Sequence, residues 1–152
     1  MRHHRHGAPE QVLRAALAVL DQGELTLAAA SPIIASAPLG PSLRRYANAV
    51  AIVETRLAPP DLLARLQQVE REFGRRRRGA RWRARVLDLD IVLWSGGAFA
   101  APGLTIPHPE FRTRNFVLAP AQRIAAHWRD PLIGLTLRHL HARLTRFRAG
   151  LR

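Results

Sequence analysis

Two carboxylates, Asp88 and Asp90, stand one residue apart in the apolar run from Val86 to Trp94. On an extended segment, alternate side chains share a face. Both acids would therefore emerge side by side, with Leu87, Leu89, Ile91 and Leu93 pointing the other way. Taking two such neighbours out of water is costly unless something opposes their charge. A divalent cation does so, and hard oxygen ligands suit magnesium, which completes its shell with waters and substrate phosphates. The competing readings are a strand face open to solvent and carboxylates paired by nearby arginines.

Just upstream, residues 75–85 read RRRRGARWRAR, with Arg75, Arg77, Arg81 and Arg85 among seven arginines around Trp82. Guanidinium groups grip phosphate oxygens in a bidentate manner and keep their charge. A metal with arginines around a polyphosphate is the donor set of phosphoryl-type transfer, and Trp82 can stack on a flat ring. Any one of these arginines reads equally well as solvated surface or as a nucleic-acid patch. The run placed against D-x-D favours the phosphate reading. A second cluster, LTIPHPEFRTRNF over Leu104 to Phe116, holds His108 between two prolines that restrict its backbone, with Arg114 six residues on. A lone histidine is more often structural; beside a metal and phosphates it is a useful donor. Neither G-x-x-x-x-G-K-[ST] nor a kinase Gly-rich loop occurs, so a nucleotide site here must be built from side chains.

The elements that must position these groups can be read from periodicity. Leu13, Ala16, Leu17 and Leu20 form a helical stripe that begins at Pro9 and stops at Gly23. Residues 24–36 are extended and interrupted at Pro32, and residues 37–42 are a Pro/Gly loop. Tyr46 to Arg56 reads as a strand, with Tyr46, Asn48, Val50 and Ile52 on one face and Ala47, Ala49, Ala51 and Val53 on the other. A second helix follows, with Leu62, Leu66, Val69 and Phe73 as its core stripe and Gly74 as its end; Gln67 and Glu70 share a neighbouring face. Val86 to Trp94 is expected to be a strand, Gly96-Gly97 a turn and Leu104 to Ile106 a short strand. Phe116 to Ala126 and Thr136 to Phe147 are expected helices, the latter with Leu137, Leu140, Leu144 and Phe147 on one face. Residues 1–8, with His3, His4 and His6, read as a basic loop or frayed end rather than a metal site, because no carboxylate supports the histidines.

The whole chain bounds these readings. Its 152 residues fit one domain, 1–152, with room for a hydrophobic core. Hydrophobic residues make up 47% and charged residues 23%, which argues against wholesale disorder. There is no cysteine, so disulfides, thiolate zinc sites and thiol nucleophiles are excluded. No run is long and apolar enough for a membrane span, and no apolar stretch follows the basic N-terminus as in a signal peptide. A cytoplasmic protein is expected. The net charge is +13, and all 24 cationic residues are arginine. Such a charge attracts polyanions in general.

Taken together, the sequence resembles the 6-hydroxymethyl-7,8-dihydropterin pyrophosphokinase family of folate biosynthesis. The signature R-x-x-D-L-D-I-x-L is present as Arg85 to Leu93. PLGP at 38–41, YANAV at 46–50, the helix with Gln67 and Glu70, GRRRR at 74–78, and LTIPHP followed by R-x-F at 104–116 occur in the family's order and spacing. The resemblance runs from about residue 9 to the C-terminal helix.

It implies an α+β, ferredoxin-like fold, with an antiparallel-rich sheet and helices on both faces in three layers. The implied activity is transfer of the terminal pyrophosphoryl group of ATP to the pterin hydroxymethyl oxygen, releasing AMP. Two magnesium ions on Asp88 and Asp90 are implied, with Arg75 and Arg85 moving in on the transferring group. Gln67, Glu70, Arg77, Arg81, Thr105, His108 and Arg114 match nucleotide-binding positions. Ser36, Leu39, Tyr46, Asn48, Trp82 and Phe116 match the pterin pocket.

There are departures. The family opens with a strand and turn before the first helix; here the first strand is missing, and the expectation is that the natural protein starts upstream. Pro109 replaces an aromatic residue and is assigned no adenine contact, and Ala37 stands where proline is common. The expected partners are ATP and a reduced pterin, with no nucleic acid, no membrane and a monomeric state. Two rival readings are a basic nucleic-acid-binding module using residues 71–85 and an inactive, truncated family member.

Overall fold

A computed structural model describes residues 8–36, 46–75 and 86–150, with the backbone alone described at Ser36, Arg75 and residues 147–150. Leu39, Arg77, Arg81, Trp82 and Arg85 lie outside the described residues, as do His3, His4 and His6. In chain order the elements are helix α1 (Pro9–Val19) and strands β1 (Leu25–Ala30), β2 (Ile34–Ser36), β3 (Tyr46–Asn48) and β4 (Ala51–Thr55). Helix α2 (Pro59–Arg75) and strands β5 (Phe99–Ala101) and β6 (Leu104–Ile106) follow. A 3-10 turn over Phe111–Thr113 then leads into α3 (Asn115–Ala125) and α4 (Leu137–Gly150). Among the described residues β1 pairs with β4, β2 with β3 and β5 with β6, the last two antiparallel. The class is α+β.

The described residues fall into two compact units, each with its own core. One comprises those within Met1–Ala28, Ile33–Asn48 and Val53–Leu89. Its helix α1 starts at Pro9, where a missing N–H costs nothing, and Gln11 Oε1 accepts the Ala8 N–H at 3.3 Å. After α1, Gly23 adopts φ +62°, the left-handed conformation that carries the chain toward β1. Val12 and Ala16 of α1 and Val69 and Phe73 of α2 are buried together with Leu87, and Leu13, Val19, Val86 and Leu89 pack around them. The buried face of α1 is thus Val12, Ala16 and Leu20, with Leu13 and Leu17 at its margin. Helix α2 continues through Gly74 to Arg75 rather than stopping at the glycine. Gly74 is not among the glycines with positive φ, so it does not act as a left-handed cap.

The second unit comprises Ala29–Pro32, Ala49–Ile52 and the described residues from Asp90 onward. Phe111, Leu118, Ala121, Ala125, Leu137 and Leu140 form its buried centre, with Val50, Ile52, Val92 and Leu93 packed against it. Helices α3 and α4 meet across this core. Each turns one apolar stripe inward, as the 3.6-residue period requires.

Two expected strands differ. The segment 46–56 is divided into β3 and β4. At the break the Ser31 N–H donates to the Val50 carbonyl at 2.8 Å, and the Val50 N–H donates to Ser31 Oγ at 2.9 Å. A side chain stands in for a backbone acceptor there, so the ladder is interrupted. Residues 87–94 form no assigned strand. Two of the segment's backbone groups bond outside any ladder: the Leu89 N–H donates to the Glu70 carboxylate, and the Val92 carbonyl accepts the His108 N–H. Its side-chain alternation survives nonetheless: Leu87 is buried, Asp88 exposed, Leu89 half-buried and Asp90 exposed.

Candidate active site

In the second unit, a short stretch of chain carries His108, Arg114 and Phe116 and meets Asp90 through His108. β5 and β6 pair with Ala100 opposite Thr105, which leaves the Thr105 side chain exposed between buried Leu104 and Ile106. The Ile106–Pro107 peptide that follows is cis. The His108 N–H then donates to the Val92 carbonyl at 3.0 Å, tying this turn to the aspartate-bearing segment. His108 Nε2 lies 4.0 Å from Asp90 Oδ2, wider than a hydrogen bond. The Glu110 N–H donates to His108 Nδ1 at 3.2 Å. With Nδ1 accepting, Nε2 is the nitrogen that carries the proton in the neutral ring, so the donor faces Asp90.

Arg114 follows directly on the 3-10 turn. Its guanidinium pairs with the Glu110 carboxylate one helical turn back and lies 5.6 Å from the Phe116 ring centroid. Phe116 itself is 49% exposed, so its ring is open to stacking. Arg112, between these groups, points the other way. It makes a bidentate pair with Asp130, whose side chain is fully buried, and Nη2 to Oδ1 measures 2.8 Å. Asp130 Oδ1 also accepts the Leu132 N–H at 3.0 Å. The Arg112 guanidinium bonded to it, more than its other contacts, holds the Asp130 carboxyl below the usual carboxylate range.

The first unit carries a different subset. On α2, Gln67 is exposed, while Glu70 is half-buried and accepts the Leu89 N–H at 2.7 Å. Glu70 thereby holds the backbone at the residue between the two aspartates in sequence. On β2 and β3, Ser36 stands opposite Tyr46 and Ile34 opposite Asn48, so the register brings two of the expected pterin residues into a cross-strand pair. Tyr46 is 50% exposed.

The structure places His108 Nε2 4.0 Å from Asp90 Oδ2 and the Arg114 guanidinium 5.6 Å from the Phe116 ring centroid. The arginine run around Trp82 and Leu39 falls outside the described residues, and so do the side chains of Arg75 and Ser36. Three contacts escaped the sequence reading. The Glu110–Arg114 pair has the i, i+4 spacing that could have revealed it. The Glu70–Leu89 bond and the Arg112–Asp130 pair span long stretches of chain and leave no local signal.

Magnesium can be tested against the donors present. Asp88 and Asp90 are both exposed and offer hard carboxylate oxygens, but no group of three or more metal-ligating side chains exists among the described residues. That donor set suits a cation that takes the rest of its shell from water and phosphate, and it does not suit an all-protein cage.

An α+β protein that sets an imidazole donor, a guanidinium and an exposed aromatic ring along one turn, with a carboxylate facing the imidazole from another segment, has the equipment of a group transferase. Comparison with known proteins sharpens this. The family model described as 7,8-dihydro-6-hydroxymethylpterin-pyrophosphokinase matches residues 5–126. The chain belongs to that family. It is 42% identical over 125 residues to the 2-amino-4-hydroxy-6-hydroxymethyldihydropteridine pyrophosphokinase of Pseudomonas aeruginosa, covering 81% of this chain and 76% of that protein. It is 43% identical over 120 residues to the Haemophilus influenzae protein of the same name, covering 78% and 74%. To the one from Bacillus subtilis it is 38% identical over 120 residues, covering 78% and 71%.

Proposed function

We propose that this chain transfers pyrophosphate from ATP to 6-hydroxymethyl-7,8-dihydropterin in folate biosynthesis. The pterin hydroxymethyl oxygen forms a bond to the β-phosphorus, the bond from that phosphorus to the α,β-bridging oxygen breaks, and AMP leaves with that oxygen. The hydroxyl proton passes to solvent or to a carboxylate. The observation that carries the reading is His108 Nε2 facing Asp90 on a turn that also bears Arg114, in a chain of this family.

The residues divide the work. Asp88 and Asp90 hold magnesium, which neutralises triphosphate charge when bound. His108 donates from Nε2 to a phosphate oxygen, and Arg114 exchanges Glu110 for phosphate. Gln67, Glu70, Arg77, Arg81 and Thr105 complete the nucleotide site, and Arg75 and Arg85 close on the transferring group. Ser36, Leu39, Tyr46, Asn48, Trp82 and Phe116 receive the pterin, with Phe116 stacking on the ring. In-line transfer of this kind depends on alignment and charge neutralisation more than on a strong base. A single ferredoxin-like, three-layer domain acting as a cytoplasmic monomer completes the proposal. No helix among the described residues is long and apolar enough to cross a membrane.

The test is incubation with ATP, magnesium and 6-hydroxymethyl-7,8-dihydropterin, followed by AMP. Wild-type protein should release AMP only when all three are present. Asp88→Ala and Asp90→Ala should abolish release while the circular dichroism spectrum stays native. Full turnover by both variants would refute the assignment.

A further inference from the structure

We infer that Asp130, acting through Arg112, is a positioning residue for the nucleotide-binding turn, an inference that rests on the function proposed above. The turn from His108 to Phe116 carries three groups assigned to substrate: His108, Arg114 and Phe116. Its internal bonds are local. Phe111 N–H donates to the His108 carbonyl at 3.3 Å, Thr113 N–H to the Glu110 carbonyl at 3.2 Å, and Arg114 N–H to the Phe111 carbonyl at 3.4 Å. Long donor–acceptor distances of this kind define a shape but hold it weakly. The His108 N–H holds the start of the turn to the Val92 carbonyl at 3.0 Å, and among the described residues two side chains anchor its centre: Phe111, fully buried in the core, and Arg112, bonded to Asp130.

The two anchors differ in what they fix. An apolar ring in a core resists withdrawal but constrains rotation only through packing. A guanidinium held by two parallel bonds to one carboxylate is fixed in plane and direction. Asp130 is well suited to the task because it is itself immobilised. Its side chain is wholly buried, and Oδ1 accepts the Leu132 N–H. The surrounding loop closes on itself, with the Asp130 N–H donating to the Leu135 carbonyl at 2.9 Å and the Gly134 N–H to the Asp130 carbonyl at 2.8 Å. The loop then joins α4, where the Leu137 N–H donates to the Trp128 carbonyl at 2.8 Å. Arg112 is thus a strut between the α3–α4 connection and the turn. The directions of the His108 imidazole and the Arg114 guanidinium depend on the backbone it holds. A phosphate-binding turn that can rock loses alignment before it loses fold, and misplacements near 1 Å are costly in such sites.

The experiment uses the full chain with two replacements of the pair. Asp130→Asn keeps the shape and the acceptor for Leu132 while removing the charge that Arg112 grips. The double variant Arg112→Met/Asp130→Leu replaces the pair by apolar groups of similar size, an exchange that folded proteins commonly tolerate. Arg112→Lys serves as the conservative control, retaining charge and one hydrogen bond. Each protein is checked for a cooperative melt, then titrated with Mg-ATP by calorimetry and assayed for KM of ATP and of the pterin separately.

The expected result is an ATP dissociation constant raised about tenfold in the first two variants. The pterin KM should rise less than the ATP dissociation constant, because Phe116 alone of the groups assigned to the pterin lies on this turn, and Arg112→Lys should fall between wild type and Asp130→Asn. Folded variants that bind ATP as wild type does would overturn the inference. So would loss of fold in both replacements, because the pair would then serve stability alone. Failure of the function proposal looks different: the wild-type protein itself would release no AMP.

Discussion

Removing the Glu70 carboxylate tests whether α2 supports the aspartate-bearing segment. Glu70 is half-buried, and its Oε2 accepts the Leu89 N–H at 2.7 Å, one residue from each aspartate. A hydrogen bond to a charged group contributes about 1.5–3 kcal/mol, and a buried amide left without its acceptor costs about the same. Glu70→Ala should therefore destabilise the protein by about 2 kcal/mol. In a protein of this size that corresponds to a fall in Tm of about 4–8 °C. Glu70→Gln keeps an amide oxygen within reach and loses only the charge, so its fall should be roughly half as large. Thermal denaturation without nucleotide isolates this effect from any direct contact of Glu70 with ATP. The reasoning is refuted if Glu70→Ala melts within about 1 °C of wild type, or if Ala and Gln are equally destabilised. In either case the bond to Leu89 is not what Glu70 supplies.

Two further outcomes follow from charges on the second unit. The Asp130 carboxyl is held below its ordinary value by Arg112, so folding binds fewer protons there than the unfolded chain does. Its contribution to stability is complete above the unfolded carboxylate pKa of about 4 and is lost as pH falls through the lower folded value. Urea midpoints measured across this acid range should fall more steeply for wild type than for Arg112→Met/Asp130→Leu; parallel slopes would contradict it. Glu110 pairs with Arg114 at the surface, so under the proposed function it would compete with phosphate for that guanidinium. Exposed pairs are weak, so Glu110→Gln should tighten ATP binding by no more than about twofold. A weaker binding constant in calorimetry would show that Glu110 orients Arg114 rather than withholding it.

Much of the architecture was legible because periodicity reports burial. The stripe Leu66, Val69 and Phe73 of α2 and the pair Leu137 and Leu140 of α4 are buried where the 3.6-residue repeat put them. Turn chemistry was legible for the same local reason: Pro32 coincides with the break after β1, and Gly97 takes a positive φ at the expected turn. The ordered motifs around Asp88, Asp90 and His108 indicated the family before any coordinates, since residue types at fixed spacing survive without knowledge of the fold. What a local pattern cannot state is where backbone hydrogen bonds go. Residues 87–94 alternate as a strand does, yet Leu89 bonds to a side chain on α2 and Val92 to the His108 turn, so no ladder forms.

The sequence by itself determined the helices, the β1–β2 segment interrupted at Pro32, and the family to which the chain belongs. Only the tertiary structure decided which charges stay at the surface and which are spent on the scaffold. Arg112 and Arg114 are the same residue type two positions apart, and nothing local separates them. One turns inward to Asp130 because burying that carboxylate requires a partner, and the other stays at the surface beside Phe116. That division is a property of distant chain segments meeting, and it exists only once the chain has folded.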